Sequence, residues 1–114
     1  MTQKELDNLV RRWQETLGLR DWAIQAKITR EPSQDEESSF CDAWGFIDPQ
    51  HRAMELMLLH RDVAMAREQR LIPWKGYEQC MLHEMLHVWF TMAQTCETCE
   101  EQAINAIAEA LVGR

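Results

Sequence analysis

The stretch Met81-Leu82-His83-Glu84-Met85-Leu86-His87-Val88-Trp89-Phe90 sets two histidines and a glutamate in the middle of an apolar run. From Tyr77 to about Ala93 the apolar residues are spread around most of a helical circumference. That pattern predicts a helix enclosed by other elements rather than one lying on a surface. His83 and His87 are four residues apart, so they stand one turn apart on the same face, with Cβ atoms about 5–6 Å from each other. Two imidazoles at that separation converge on one metal ion. Glu84 directly follows the first histidine and so points beside the ion, where it can take a proton from a water that the metal has activated. Burying two imidazoles and a carboxylate costs several kcal/mol unless they find partners, and a metal is such a partner. The competing reading is a wet stripe on an ordinary amphipathic helix, with no metal at all.

A hydrolytic zinc site takes three protein ligands and leaves one position open. No histidine follows His87, so the third ligand is sought among Cys96, Glu97, Cys99, Glu100, Glu101 and Glu109. A thiolate is unusual in a hydrolytic site. Glu101 is favoured, because Asn105 lies one turn later on the same helical face and can orient a zinc-bound histidine. Glu100 is the alternative on spacing. Thr98-Cys99-Glu100-Glu101 also fits a capping box, in which Glu101 would only cap its own helix.

Outward from this centre, Thr2-Gln3-Lys4-Glu5 fits a helix start, and Leu6, Leu9, Val10, Trp13 and Leu17 recur at helical spacing up to a stop at Gly18. Trp22, Ile24, Ala26 and Ile28 alternate with polar residues, as in a half-buried strand. Arg30 to Ser39 reads as a solvated connection. Phe40 to Asp48 reads as a second strand and Met54 to Leu58 as a third, paired as a hairpin through the short Asp48-Pro49-Gln50-His51 turn. A short helix is expected over Asp62 to Gln69, broken by Ile72-Pro73-Trp74-Lys75-Gly76. Thr95 to Cys99 is expected to be a turn. A last helix then runs from Glu100 to Val112 with Ile104, Ile107 and Leu111 as its core stripe. The whole, residues 1–114, is one α+β domain: a small, mostly antiparallel three-stranded sheet packed on an N-terminal helix, a buried active-site helix and a C-terminal helix.

The chain of 114 residues has 46% hydrophobic and 27% charged residues, ordinary for a globular protein. Its net charge of -7 argues against a nucleic-acid partner, whose phosphates it would repel. No run of about 20 apolar residues is present to span a membrane. The N-terminal residues carry charges throughout and lack the apolar core of an export signal, so a cytoplasmic setting with reduced thiols is expected for Cys41, Cys80, Cys96 and Cys99. Cys96-Glu97-Thr98-Cys99 lacks the second pair that a zinc ribbon needs. His51 and His60 read as surface or turn residues, Tyr77 as an oxyanion donor or a packing residue, and the five tryptophans as mostly core.

His83-Glu84-Met85-Leu86-His87 followed by Glu101-Gln102-Ala103-Ile104-Asn105 resembles the gluzincin clan of zinc metallopeptidases. The short insert from Val88 to Glu100 resembles its miniature members, the minigluzincins. The resemblance implies a zincin-like fold, Zn²⁺ held by His83, His87 and Glu101, and Glu84 as general base. It gives Asn105 the place of a polar residue, often Asp, that supports the first histidine. Asp42-Ala43-Trp44-Gly45 is similar to an edge segment of the clan. That implies substrate binding at Ala43 and Trp44, where an extended peptide adds as a strand. The expectation is a monomeric peptidase acting on a peptide or protein substrate. The alternative is a zinc-binding but catalytically latent phage or microbial interaction module.

Overall fold

Thr2 opens the first helix, α1 (Gln3–Thr16), by accepting a hydrogen bond at Oγ1 from the Glu5 N–H, 3.1 Å away. The helix ends in a Schellman motif. The Leu19 N–H reaches the Gln14 carbonyl at 2.7 Å and the Gly18 N–H reaches the Glu15 carbonyl at 3.3 Å. Gly18 makes this possible with φ +72°, a left-handed conformation that an L side chain resists. The turn delivers Leu19 and Trp22 into the core. The computed structural model describes residues 1–34, 42–67, 73–93 and 97–112. The remaining elements are β1 (Ala23–Thr29), β2 (Ala43–Asp48), β3 (Ala53–Leu59), α2 (Arg61–Met65), α3 (Tyr77–Ala93) and α4 (Glu97–Val112).

The three strands form one sheet in the order β1-β3-β2. β2 and β3 make the expected antiparallel hairpin, with Gly45 opposite Leu56. The turn is held by Asp48, which accepts from the His51 backbone and bonds the His51 ring at 2.7 Å. That ring contact keeps the exposed Asp48 carboxyl below the usual carboxylate range. β1 pairs with β3 in parallel, so the sheet is mixed and not mostly antiparallel. Apolar alternation reports which face of a strand is buried, not the direction of its neighbour. Here β3 turns back from β2 and inserts beside β1, running the same way.

Met54, Leu56 and Leu58 of the central strand, Ala26 of β1 and Ala43 of β2 face Leu6 and Val10 of α1 and Met81, Met85 and Val88 of α3. A second cluster joins Leu82 and Leu86 of α3 to Ile104 and Ala108 of α4. Ala108 replaces the expected Ile107, which is partly exposed, because the α4 stripe follows the i, i+4 row rather than i, i+3. α3 is enclosed on most sides but not all. Trp89 is 45% exposed, and its indole N–H donates to the Leu17 carbonyl at 2.8 Å, tying α3 to the end of α1. Of the five tryptophans only Trp22 is fully buried.

α2 is shorter at its described end than expected, stopping at Met65, and 68–69 lie outside the described residues. His60 caps it, accepting at Nδ1 from the Asp62 N–H. Phe40, Cys41 and Cys96 also lie outside the described residues, as does most of the Arg30–Ser39 connection. Among the described residues no helix is long and apolar enough to cross a membrane.

Replacing Gly18 with Ala forces a Cβ into the left-handed conformation and is expected to lower stability by about 1 kcal/mol. The added Cβ meets Trp89 only at ordinary contact distance, 3.7 Å, so backbone strain is the whole effect. Urea unfolding should show a lower midpoint with an unchanged slope.

Candidate metal centre

On α3, Leu82 and Leu86 form one i, i+4 row, and His83 and His87 form the next row round. On α4, Ile104 and Ala108 form the apolar row, while Glu101 and Asn105 lie beside it. When the apolar rows pack together, the polar rows are brought face to face. The result is a cluster of part-buried groups. Side-chain exposures are 23% for His83, 16% for Glu84, 21% for His87 and 14% for Glu100.

Each imidazole is held at Nδ1. His83 Nδ1 lies 2.9 Å from Asn105 Oδ1, and His87 Nδ1 lies 2.9 Å from Glu100 Oε1. Both partners are acceptors, so each Nδ1 can donate its proton there and leave Nε2 free for a cation. The two Nε2 atoms stand 3.3 Å apart. Glu101 reaches both, with Oε1 2.8 Å from His87 Nε2 and Oε2 3.3 Å from His83 Nε2. The 2.8 Å contact of Glu101 Oε1 with His87 Nε2 is of hydrogen-bond length, so a proton or a cation stands between them. A cation bound by both Nε2 atoms and Glu101 would take the place of that proton.

The 3.3 Å between the Nε2 atoms and from Glu101 to His83 suits such a cation, whereas the 2.8 Å from Glu101 to His87 is the length of a hydrogen bond. Ligands about 2.0–2.1 Å from a tetrahedral ion stand about 3.3–3.4 Å apart. His83, Glu84 and His87 each offer an atom within 4.8 Å of the others, a group that could hold a metal ion. Within that group Glu84 is the outlier, its Oε1 being 4.0 Å from His83 Nε2, farther than Glu101. The donor set of two imidazoles and carboxylates suits a divalent transition ion.

Burial pushes the Glu84 carboxyl up to about 7, with the Glu101 charge adding to it and His87 opposing it. Burial also lowers His83, with Glu101 and the Asn105 contact pulling the other way. Glu84 faces the sheet across Gly45. A Cβ at that glycine would stand 3.6 Å from Glu84 Oε2 and only 2.9 Å from the Met54 methyl.

The expected residues separate clearly. His83, His87, Glu84, Glu101 and Asn105 come together. Glu101 does not act as a helix cap, because α4 begins at Glu97 and Thr98 already lies inside it. The expected turn through Cys99 is therefore helical in its second half. Glu100 is not at the Nε2 atoms. It holds His87 Nδ1, a role missed in the sequence, although its place next to Glu101 on a helix was the available signal. Ala43 is buried on the helix-facing side of β2, whereas Trp44 lies on the opposite face, paired with Met57. Tyr77 bonds elsewhere: its hydroxyl accepts from the Arg61 N–H at 2.8 Å and its ring stacks edge-on against Trp74. No family model matches the chain, and no curated protein or solved structure matches it.

The raised Glu84 value fixes a pH dependence for the metal-free protein. The unfolded chain releases this proton near the ordinary value of 4.5, the folded chain near 7. Between these values the folded state binds more protons, so stability falls as pH rises through the window. Glu84→Gln removes that fall, worth up to about 3 kcal/mol. His83, lowered in the fold, works in the opposite sense, losing stability as pH drops below its ordinary 6.5. The comparison of parent and Glu84→Gln cancels that contribution. Chelator-treated proteins unfolded in urea at pH 5 and pH 8 should show the variant gaining on the parent at the higher pH. Parallel pH profiles would contradict a proton held on Glu84.

Proposed function

We propose that the chain is a zinc-dependent peptidase whose metal is held by His83, His87 and Glu101. The observation that carries this reading is the convergence of two Nε2 atoms 3.3 Å apart on the Glu101 carboxylate, with Glu84 alongside. Zinc bound there would supply Lewis acidity toward a water and a peptide carbonyl.

Glu84 is the general base and then the general acid. Its surroundings raise its proton affinity well above that of a solvated carboxylate. A nearby cation favours its ionised form, so it is ready to accept a proton at neutral pH. It takes that proton from the attacking water and returns it to the leaving amine. Asn105 and Glu100 keep both imidazoles in the tautomer that leaves Nε2 able to ligate.

The sheet supports a place for the substrate. The Asp42 carbonyl accepts from the Leu59 N–H at 2.8 Å, so Asp42 points its backbone toward β3. By the antiparallel alternation, Trp44 and Phe46 do the same, and Ala43, Gly45 and Ile47 turn their N–H and C=O groups outward. β2 is an edge strand in the described sheet, and Gly45 is its residue beside Glu84. An extended peptide added along this edge would bring a backbone carbonyl toward Glu84. The other edge is obstructed by α1, where Gln3 donates to the Ala26 carbonyl and Gln14 to the Trp22 carbonyl.

Glu84→Gln should keep stoichiometric zinc and lose hydrolysis of a peptide library by at least about a hundredfold. His83→Ala should lose both. Metal content by mass spectrometry and cleavage mapping check the pair. A Glu84→Gln protein as active as the parent removes the mechanism. A parent that holds zinc and cleaves no peptide identifies the latent interaction module instead.

A further inference from the structure

Consecutive glutamates of α4 take opposite nitrogens of one imidazole. Glu101 Oε1 lies 2.8 Å from His87 Nε2, and Glu100 Oε1 lies 2.9 Å from His87 Nδ1. The first is the ligand of the proposed centre, and the second is not a ligand but the group behind one. His83 is supported differently, by the neutral amide oxygen of the exposed Asn105. We propose that Glu100 is the positioning residue that makes His87, rather than His83, the stronger metal donor of this site. The proposal rests on the zinc reading above and deepens it.

Three physical points support it. A hydrogen bond to an ionised acceptor is roughly twice as strong as one to a neutral amide, so it draws the Nδ1 proton outward and enriches Nε2. The Glu100 carboxylate is the more enclosed of the two supports, and screening by water weakens such a bond less there. Position matters too: Glu100 sets its charge behind His87 Nδ1 without occupying a coordination position.

Two measurements that do not depend on peptidase activity test this. In the metal-free parent, nitrogen-edited NMR of the imidazoles should place the His87 Nδ1–H resonance downfield of the His83 one. The opposite order overturns the proposal without any variant. In chelator competition, Glu100→Gln, which keeps the hydrogen bond and drops the charge, should bind zinc about tenfold more weakly. Asn105→Asp in the Glu100→Gln background should recover most of that loss by restoring a carboxylate behind the other ring. Unchanged zinc affinity in Glu100→Gln overturns the proposal. So does complete loss of zinc in Glu100→Gln with retention in Glu101→Gln, which would make Glu100 the ligand. A parent that binds no zinc at all sinks the preceding functional reading together with this one. A parent that binds zinc and cleaves nothing leaves this one standing.

Discussion

The contact between Leu82 and Leu86 of α3 and Ile104 and Ala108 of α4 is the constraint on which the site depends. Nothing polar in the cluster chooses its own position. Each ligand-bearing row lies one residue round the helix from an apolar row, so seating the apolar rows sets the separation of the polar ones. Carboxylates and imidazoles would otherwise repel or hydrate apart, and burial of four side chains overcomes that. The same packing leaves the two Nε2 atoms 3.3 Å apart and facing a carboxylate.

The sheet makes a second contribution through one small residue. Gly45 lets β2 approach Glu84 closely, where any side chain would press on the Met54 methyl and the Glu55 carbonyl. A strand edge with outward-turned backbone groups thus passes beside a carboxyl whose proton affinity burial has raised. The strand edge and the buried carboxyl are neighbours because of an absent Cβ. On the far side of the sheet, glutamine side chains from α1 bond the Ala26 carbonyl of β1 and the Trp22 carbonyl just before it, so the two edges of one small sheet have different fates. Unpaired edges invite pairing with other strands, and among the described residues no strand pairs with the edge beside Glu84.

Electrostatically the centre is arranged in layers. The inner layer is two imidazole Nε2 atoms and Glu101, the outer layer Asn105 and Glu100. Each imidazole is held at Nδ1 by an acceptor from α4, which fixes the orientation of both rings. The supports are chemically unequal, one an amide and one a carboxylate.

How much of this was legible in the sequence can be followed residue by residue. His83, Glu84 and His87 could be read because helical periodicity is local: four residues make one turn whatever surrounds them. The helices α1 and α3 and the β2–β3 hairpin were readable for the same reason. The parallel partner of β1 was not, because alternation is silent about a strand's neighbours. Trp89 and Ile107 looked like core residues and face outward, since hydrophobicity alone does not say where the neighbouring element stops. The clearest limit is Glu100 against Glu101. Both are adjacent carboxylates on one helix, and sequence spacing suited either. Which one meets Nε2 and which one Nδ1 was decided by the rotation of α4 against α3, a property of packing between two elements that neither contains alone.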